Sequence, residues 1–267
     1  MTDTYDFAID LVKRAGLRLK SFHHEVLVVS HKGDDYRDVL TNADTELSKF
    51  LTDEIHSKFP EHHIYSEEDE HKEEGETLEW EWTLDPIDGS ANFSRGIPHY
   101  AICVGLLHNG VPVLGAVYNP ITDELFSFEK GEGAFLNGVQ VHASSITDPK
   151  EAYSLLRTGR KKEYLEWGVT TQRDFLQNTK KVSNFGSSAL DLCFVGAKRA
   201  DIVAYGTLTT QDIAVAVGFV REAGAEVYTI DGEPVTLSKK SQLVVSTCTR
   251  ELFDKIQPFL HKELLPR

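Results

Sequence analysis

The sequence predicts a layered α+β protein built in two halves. Three observations carry this. Two amphipathic helical segments lie near the start of the chain, at 4–22 and 43–59. A run of β-type segments joined by tight turns follows, up to about residue 141. Beyond it, helical and strand patterns alternate to the C-terminus. The chain has 267 residues, enough for one large domain or two modest ones around a substantial core. The loop-like stretch SSITDPKE places a boundary near 145–152, giving an N-terminal half 1–148 and a C-terminal half 149–267 that could still share one core.

In the first helix Phe7, Leu11, Val12, Ala15 and Leu19 recur at three- and four-residue steps. Val26–Val29 is a short strand candidate. The second helix puts Leu47, Phe50, Leu51 and Ile55 on one face and is followed by Pro60. An acidic segment, 61–76, comes next. Leu78, Trp80, Trp82 and Leu84 then alternate with Glu79, Glu81 and Thr83, which predicts a strand with one buried face. From Tyr100 to Val141 the pattern is antiparallel, with Asn109-Gly110 and Asn137-Gly138 as hairpin turns. The second half reads as a strand and turn at 154–159, helices at 160–177 and 187–198, and a strand at 201–205. A helix at 211–223 ends at Gly224, and Leu243–Thr247 is a last strand before a terminal helix.

Acidic residues outnumber basic ones, 42 against 28, for a net charge of −14. That balance opposes attraction to nucleic acid or to an anionic lipid surface. It leaves anionic substrates open, because a metal ion reverses the local sign. No apolar run approaches the ~20 residues that a bilayer requires, and no secretory signal is visible. Cys103, Cys193 and Cys248 are odd in number and widely spaced. They read as reduced thiols in a cytoplasmic protein. His62, His63 and His71 are too irregularly spaced for a zinc site. No GxxxxGK[ST] loop is present, which argues against a nucleotide-dependent kinase or ATPase.

The chemistry concentrates in WEWTLDPIDGSANF, residues 80–93. A strand delivers Asp85, and Pro86 holds the residue before it extended. Asp88 follows three residues later. Gly89 allows close backbone approach, and Ser90 is placed to cap a short helix through Asn92 and Phe93. The first N–H groups of that helix would attract an anion beside two carboxylates, which requires a cation such as Mg²⁺ between them. Taken alone, the same residues also read as an ordinary Asp/Pro/Gly turn.

DPIDGSANF resembles the metal-binding signature of the inositol monophosphatase-like phosphatases, whose usual form is DPIDGTxNF; Ser90 keeps the hydroxyl of the usual Thr. Further blocks resemble the family in order. They are VLTNAD (39–44), FPEHHIYSEED (59–69), LLRTGR (155–160), FGSSALDLCFVGAKRADIVAY (185–205) and QDIAVAVGFVREAGAEV (211–227). Lys32 lies close to where the family has a lysine. The resemblance implies an α-β-α-β-α sandwich of the sugar-phosphatase type, with an antiparallel or mixed sheet in the N-terminal half and a smaller sheet in the C-terminal half. It implies a lithium-sensitive, Mg²⁺-dependent phosphomonoesterase acting on a small phosphorylated polyol or sugar, and a homodimer. Glu67, Asp85, the Ile87 carbonyl, Asp88 and Asp212 would hold two or three Mg²⁺. Asp44 and Ser90 would orient and deprotonate the attacking water, and Glu68 would tune the metal site. Gly89, Ser90, Gly186, Ser187, Tyr205 and Asp212 would contact the substrate.

Three departures bear on the substrate. Gln211 replaces the usual Trp, Ala216 replaces a Gly, and Tyr205 and Gly206 stand where inositol-specific members carry a glutamate that contacts the sugar. Fructose 1,6-bisphosphate, nucleotide 3′-phosphates and other sugar phosphates therefore fit equally well. A noncatalytic phosphate-binding regulator is the alternative outside catalysis. Arg157, Arg160, Lys161 and Lys162 form a basic cluster that could meet a second phosphate or be a solvated turn.

Overall fold

The computed structural model describes residues 2–22, 29–31, 39–66, 78–157, 164–209, 213–237 and 241–265. They build five layers, α-β-α-β-α. The outer layer is α1 (Thr2–Ser21) and α2 (Asn42–Lys58). Leu11, Val12, Ala15 and Leu19 of α1 and Leu47, Leu51 and Ile55 of α2 are fully buried or nearly so, as their spacing predicts. A small ribbon of β1 (Val29–His31) and β2 (Val39–Thr41) leads into α2. The strand expected at 26–29 is described only from Val29.

Beneath these helices lies a seven-stranded sheet whose strands neighbour one another in chain order. It contains β3 (His63–Ser66), β4 (Trp80–Asp88), β5 (Ala101–His108), β6 (Val111–Asn119), β7 (Glu124–Glu129), β8 (Gly133–Leu136) and β9 (Val139–Val141). The β3–β4 pair is parallel and the others are antiparallel. Asn109-Gly110 and Asn137-Gly138 take positive φ at both residues, as tight hairpin turns demand. The short helix α3 (Ser90–Phe93) follows β4.

The second half adds a five-stranded sheet of order β11-β10-β12-β14-β13. Its strands are β10 (Tyr153–Arg157), β11 (Lys181–Ser183), β12 (Ile202–Thr209), β13 (Glu226–Thr229) and β14 (Ser241–Thr247). Helices α5 (Ser188–Gly196) and α6 (Ala214–Glu222) fill the space between the two sheets. Helices α4 (Leu165–Asn178) and α7 (Arg250–Ile256) cover the outer face. One apolar cluster runs from Cys103, Val117, Phe126 and Phe128 of the first sheet through α5 and α6 to Trp167 and Phe253, so the two halves share a core.

The sandwich corrects one expectation. β4 does not have a single buried face, since every residue from Trp82 to Asp88 is buried. The helix α2 covers one side of the sheet and the α5–α6 layer the other, so the polar members of the alternation, Thr83 and Asp85, are enclosed too. The inner layer sits close. Gly105 and Gly115 are cross-strand partners, and a Cβ at either would lie 2.7 Å from Val215 of α6.

No zinc-like cluster forms among the described histidines. His62 stacks between Phe59 and Trp80, and its Nδ1 accepts from the Trp82 indole at 3.1 Å. Burial lowers its pKa from the ordinary imidazole value, and His71 lies outside the described residues. The three cysteines are free and buried. No helix among the described residues is long and apolar enough to cross a membrane.

Candidate active site

The site grows from the end of β4. Between Asp85 and Asp88 the pairing with β5 shifts register, a bulge at the Pro86 position. The bulge re-aims the chain so that both carboxylates and the Ile87 carbonyl gather at one end of the sheet. Asp85 Oδ1 accepts the Ile87 N–H at 3.0 Å. Gly89 then turns the chain with φ +97°, a conformation that favours glycine.

Gly89, not Ser90, is the N-cap of α3, and no side chain caps this helix. The Ser90 hydroxyl turns away from that role. It lies 2.8 Å from both Asp44 Oδ1 and the Ile87 carbonyl oxygen, so its one proton is offered to two acceptors. Ser90 is already the first residue of the helix, one position past the cap, and its hydroxyl donates to the carboxylate and the carbonyl instead. Asp44 itself sits in the first turn of α2. Its Oδ2 accepts from the Thr41 N–H at 2.8 Å and from the Thr41 hydroxyl at 2.5 Å, completing a capping box. The helix cap thus fixes the carboxylate that faces Ser90. Asp44, Ser90, Ile87 and Asp85 form one hydrogen-bonded chain.

Asp88 belongs to a second connection. Its Oδ2 accepts from the Ser187 hydroxyl and from the Ala189 N–H at 2.8 Å; its Oδ1 accepts from the Ser188 N–H at 3.1 Å and the Ser188 hydroxyl at 2.8 Å. All four acceptor directions of the carboxylate meet donors at the start of α5, where the helix dipole also favours negative charge. Burial still raises the Asp88 pKa above the ordinary carboxylate range, while the donated bonds pull it down. Asn92 locks the neighbouring segments by donating to the His99 carbonyl at 2.7 Å and the Phe185 carbonyl at 2.8 Å. Gly186 takes φ +93°, and a Cβ there would meet the Asn92 amide at 3.2 Å, so the segment before α5 passes directly over α3.

A third cluster lies along α5. Asp191 is 1% exposed, with its Oδ2 accepting from the Tyr205 hydroxyl and its Oδ1 3.0 Å from His99 Nε2. Tyr205 is fully enclosed, and burial together with the Asp191 charge pushes its phenol well above the ordinary value. The phenol is therefore a neutral donor.

The structure brings together Asp44, Asp85, Ile87, Asp88, Gly89, Ser90, Gly186 and Ser187, and places Tyr205 behind α5. Glu67, Glu68, Gln211 and Asp212 lie outside the described residues. Sequence reasoning missed Thr41, Asn92, His99, Ser188 and Asp191. Ser188 stood inside the recognised Gly-Ser-x-Ala block, but its partner is 100 residues away. Nothing local announces that pairing.

Among the described residues no three acidic, histidine or cysteine side chains converge as a metal-binding group. The donor chemistry nevertheless fits a hard divalent cation. Asp44, Asp85 and Asp88 are 1%, 6% and 8% exposed, all carry hard oxygen donors, and Asp85 and Asp88 flank the Ile87 carbonyl. Buried carboxylates of one sign at one strand end call for a positive charge.

Known proteins resemble this chain over nearly its whole length. The family model described as "Inositol monophosphatase family" matches residues 1–264. An inositol monophosphatase of Mesembryanthemum crystallinum is 32% identical over 240 residues, covering 87% of each chain. A fructose-1,6-bisphosphatase/inositol-1-monophosphatase of Thermotoga maritima is 30% identical over 239 residues, covering 90% of each. A solved Thermotoga maritima IMPase structure superposes with a TM-score of 0.87 at 28% identity, covering 98% of both chains.

Proposed function

The chain belongs to the inositol monophosphatase family of phosphatases, and from that premise we propose that it hydrolyses a small phosphorylated polyol or sugar with Mg²⁺ as cofactor. Members of this family are generally metal-dependent; the choice of Mg²⁺, two or three ions per site, is part of the proposal. The observation that carries it is the hydrogen-bonded chain Asp44–Ser90–Ile87–Asp85. It couples a fixed base to the residues best suited to hold the ion.

Asp85, the Ile87 carbonyl and Asp88 would hold the metal together with Glu67 and Asp212, the Ser187 or Ser188 hydroxyl giving up its bond to Asp88 so that one carboxylate direction faces the ion. Mg²⁺, when bound, supplies positive charge that draws in the phosphate and stabilises its transition state. The Ser90 oxygen can accept a hydrogen bond from a water while donating its own proton to Asp44 Oδ1. A proton leaving that water passes through Ser90 to Asp44, whose orientation the Thr41 bonds fix. Because water is the nucleophile, no residue here needs to form a covalent phosphoenzyme. The backbone N–H groups of Gly89 and Ser90 would hold the phosphate, with Gly186 and Ser187 on the opposite side. Glu68 would tune the metal site. Homodimerisation, lithium sensitivity and a cytoplasmic location form part of the same proposal.

The leaving group is less fixed. The glutamate that contacts the sugar in inositol-specific members is absent, and Tyr205 in its place donates a hydrogen bond to Asp191. Sugar bisphosphates and nucleotide 3′-phosphates therefore join inositol monophosphate as candidates; the Thermotoga maritima relative carries both the bisphosphatase and the monophosphatase names. The test is phosphate release from a panel of these esters with Mg²⁺. Turnover of at least one is expected. Mg²⁺ and phosphate binding by calorimetry, with no turnover of any, would overturn the catalytic reading and favour a phosphate-binding regulator.

A further inference from the structure

On the layer formed by β10, β12 and α5, Arg157 has no carboxylate partner among the described residues. Arg157 of β10 and Tyr205 of β12 are direct partners in the parallel register. Paired residues on neighbouring strands point to the same face of the sheet. Tyr205 reaches Asp191 on α5, so this face is the one turned toward the helix whose first turn holds Asp88. The acid that Tyr205 reaches is already engaged. Tyr205 bonds one Asp191 oxygen and His99 the other.

Arg157 is half-buried, with its guanidinium carbon 5.9 Å from the Tyr205 ring centroid. It makes no ion pair or hydrogen bond with any described residue. Most other arginines of the fold have carboxylates, as Arg199 has Glu124 and Arg221 has Glu226. In a chain of net charge −14, a partly desolvated guanidinium beside a neutral phenol is suited to receive an anion.

We propose that Arg157 receives a second anionic group on the substrate, a phosphate or carboxylate carried by the leaving group, and so selects esters with that second anionic group over simple polyol phosphates. The proposal rests on the phosphomonoesterase reading above. A guanidinium can meet either anion with two parallel hydrogen bonds. Asp191, the described acid that Tyr205 reaches, is not free to accept from a vicinal diol, because Tyr205 and His99 seal it.

Two matched pairs separate the two anions. Fructose 1,6-bisphosphate against fructose 1-phosphate tests a second phosphate, and glycerate 2-phosphate against glycerol 2-phosphate tests a carboxylate. The wild-type protein is expected to favour the member with the second anionic group in one pair by about ten- to a hundred-fold in kcat/KM, chiefly through KM. In Arg157→Leu that ratio falls to about 1, and in Arg157→Lys part of it remains. Equal wild-type values within both pairs, or a preference that survives in Arg157→Leu, overturns the inference. Failure to hydrolyse these four and every other ester of the panel would instead strike the phosphatase reading. Calorimetric affinities for the same four ligands then decide the subsite: a preference for the second anionic group that is lost in Arg157→Leu supports it, and equal affinities refute it.

Discussion

Replacing Asp88 by Asn is expected to lower kcat/KM by about 10³-fold or more while leaving the chain folded. The proposed metal loses a negative ligand, and the associated transition-state stabilisation is several kcal/mol. The loss has a second source. Asp88 accepts four hydrogen bonds at the start of α5. An amide can accept at one end only, so its NH₂ would face either the Ser188 N–H or the Ala189 N–H. A buried donor left without its acceptor costs about 1–3 kcal/mol. Steady-state kinetics with a parallel thermal melt separates the two contributions. Activity within tenfold of wild type would remove Asp88 from the metal site.

The Ser90–Asp44 relay gives the second large effect. Ser90→Ala and Asp44→Asn should each reduce kcat by about 10²- to 10⁴-fold, the usual range for a positioned general base. The two losses should not add, because both residues move the same proton. Ser90→Thr restores the hydroxyl and should retain activity within about tenfold. Asp44→Asn carries a structural cost as well, since its carboxylate also completes the capping box with Thr41; losing a cap costs about 0.5–2 kcal/mol. Full activity in Ser90→Ala would show that the water is oriented by something else.

The contrast between these two clusters shows what was legible beforehand. The layers were readable because hydrophobic period and turn chemistry agree locally. Leu11 and Leu19 lie where a 3.6-residue period puts them, and Asn137-Gly138 turns as its side chains allow. The short strands Lys181–Ser183 and Glu226–Thr229 escaped notice because each is held by its neighbour rather than by its own pattern. The same division runs through the site. Asp85 and Asp88 announce themselves within one motif. The serines that anchor Asp88 lie 99 and 100 residues further on, and Ser90 was assigned to a helix cap because its true acceptor is 46 residues earlier. Asp191 drew no attention, since a lone acid in an apolar helix carries no signal until Tyr205 and His99 are seen to enclose it.

The central claim is that the buried acids at the end of β4 hold a divalent cation required for hydrolysis. Its most direct test is phosphate release from the best ester of the panel by protein stripped with EDTA, then titrated with Mg²⁺. The stripped protein should be inactive, and Mg²⁺ should restore it along a saturable curve that disappears in Asp88→Asn. Undiminished hydrolysis after complete removal of metal would contradict the account.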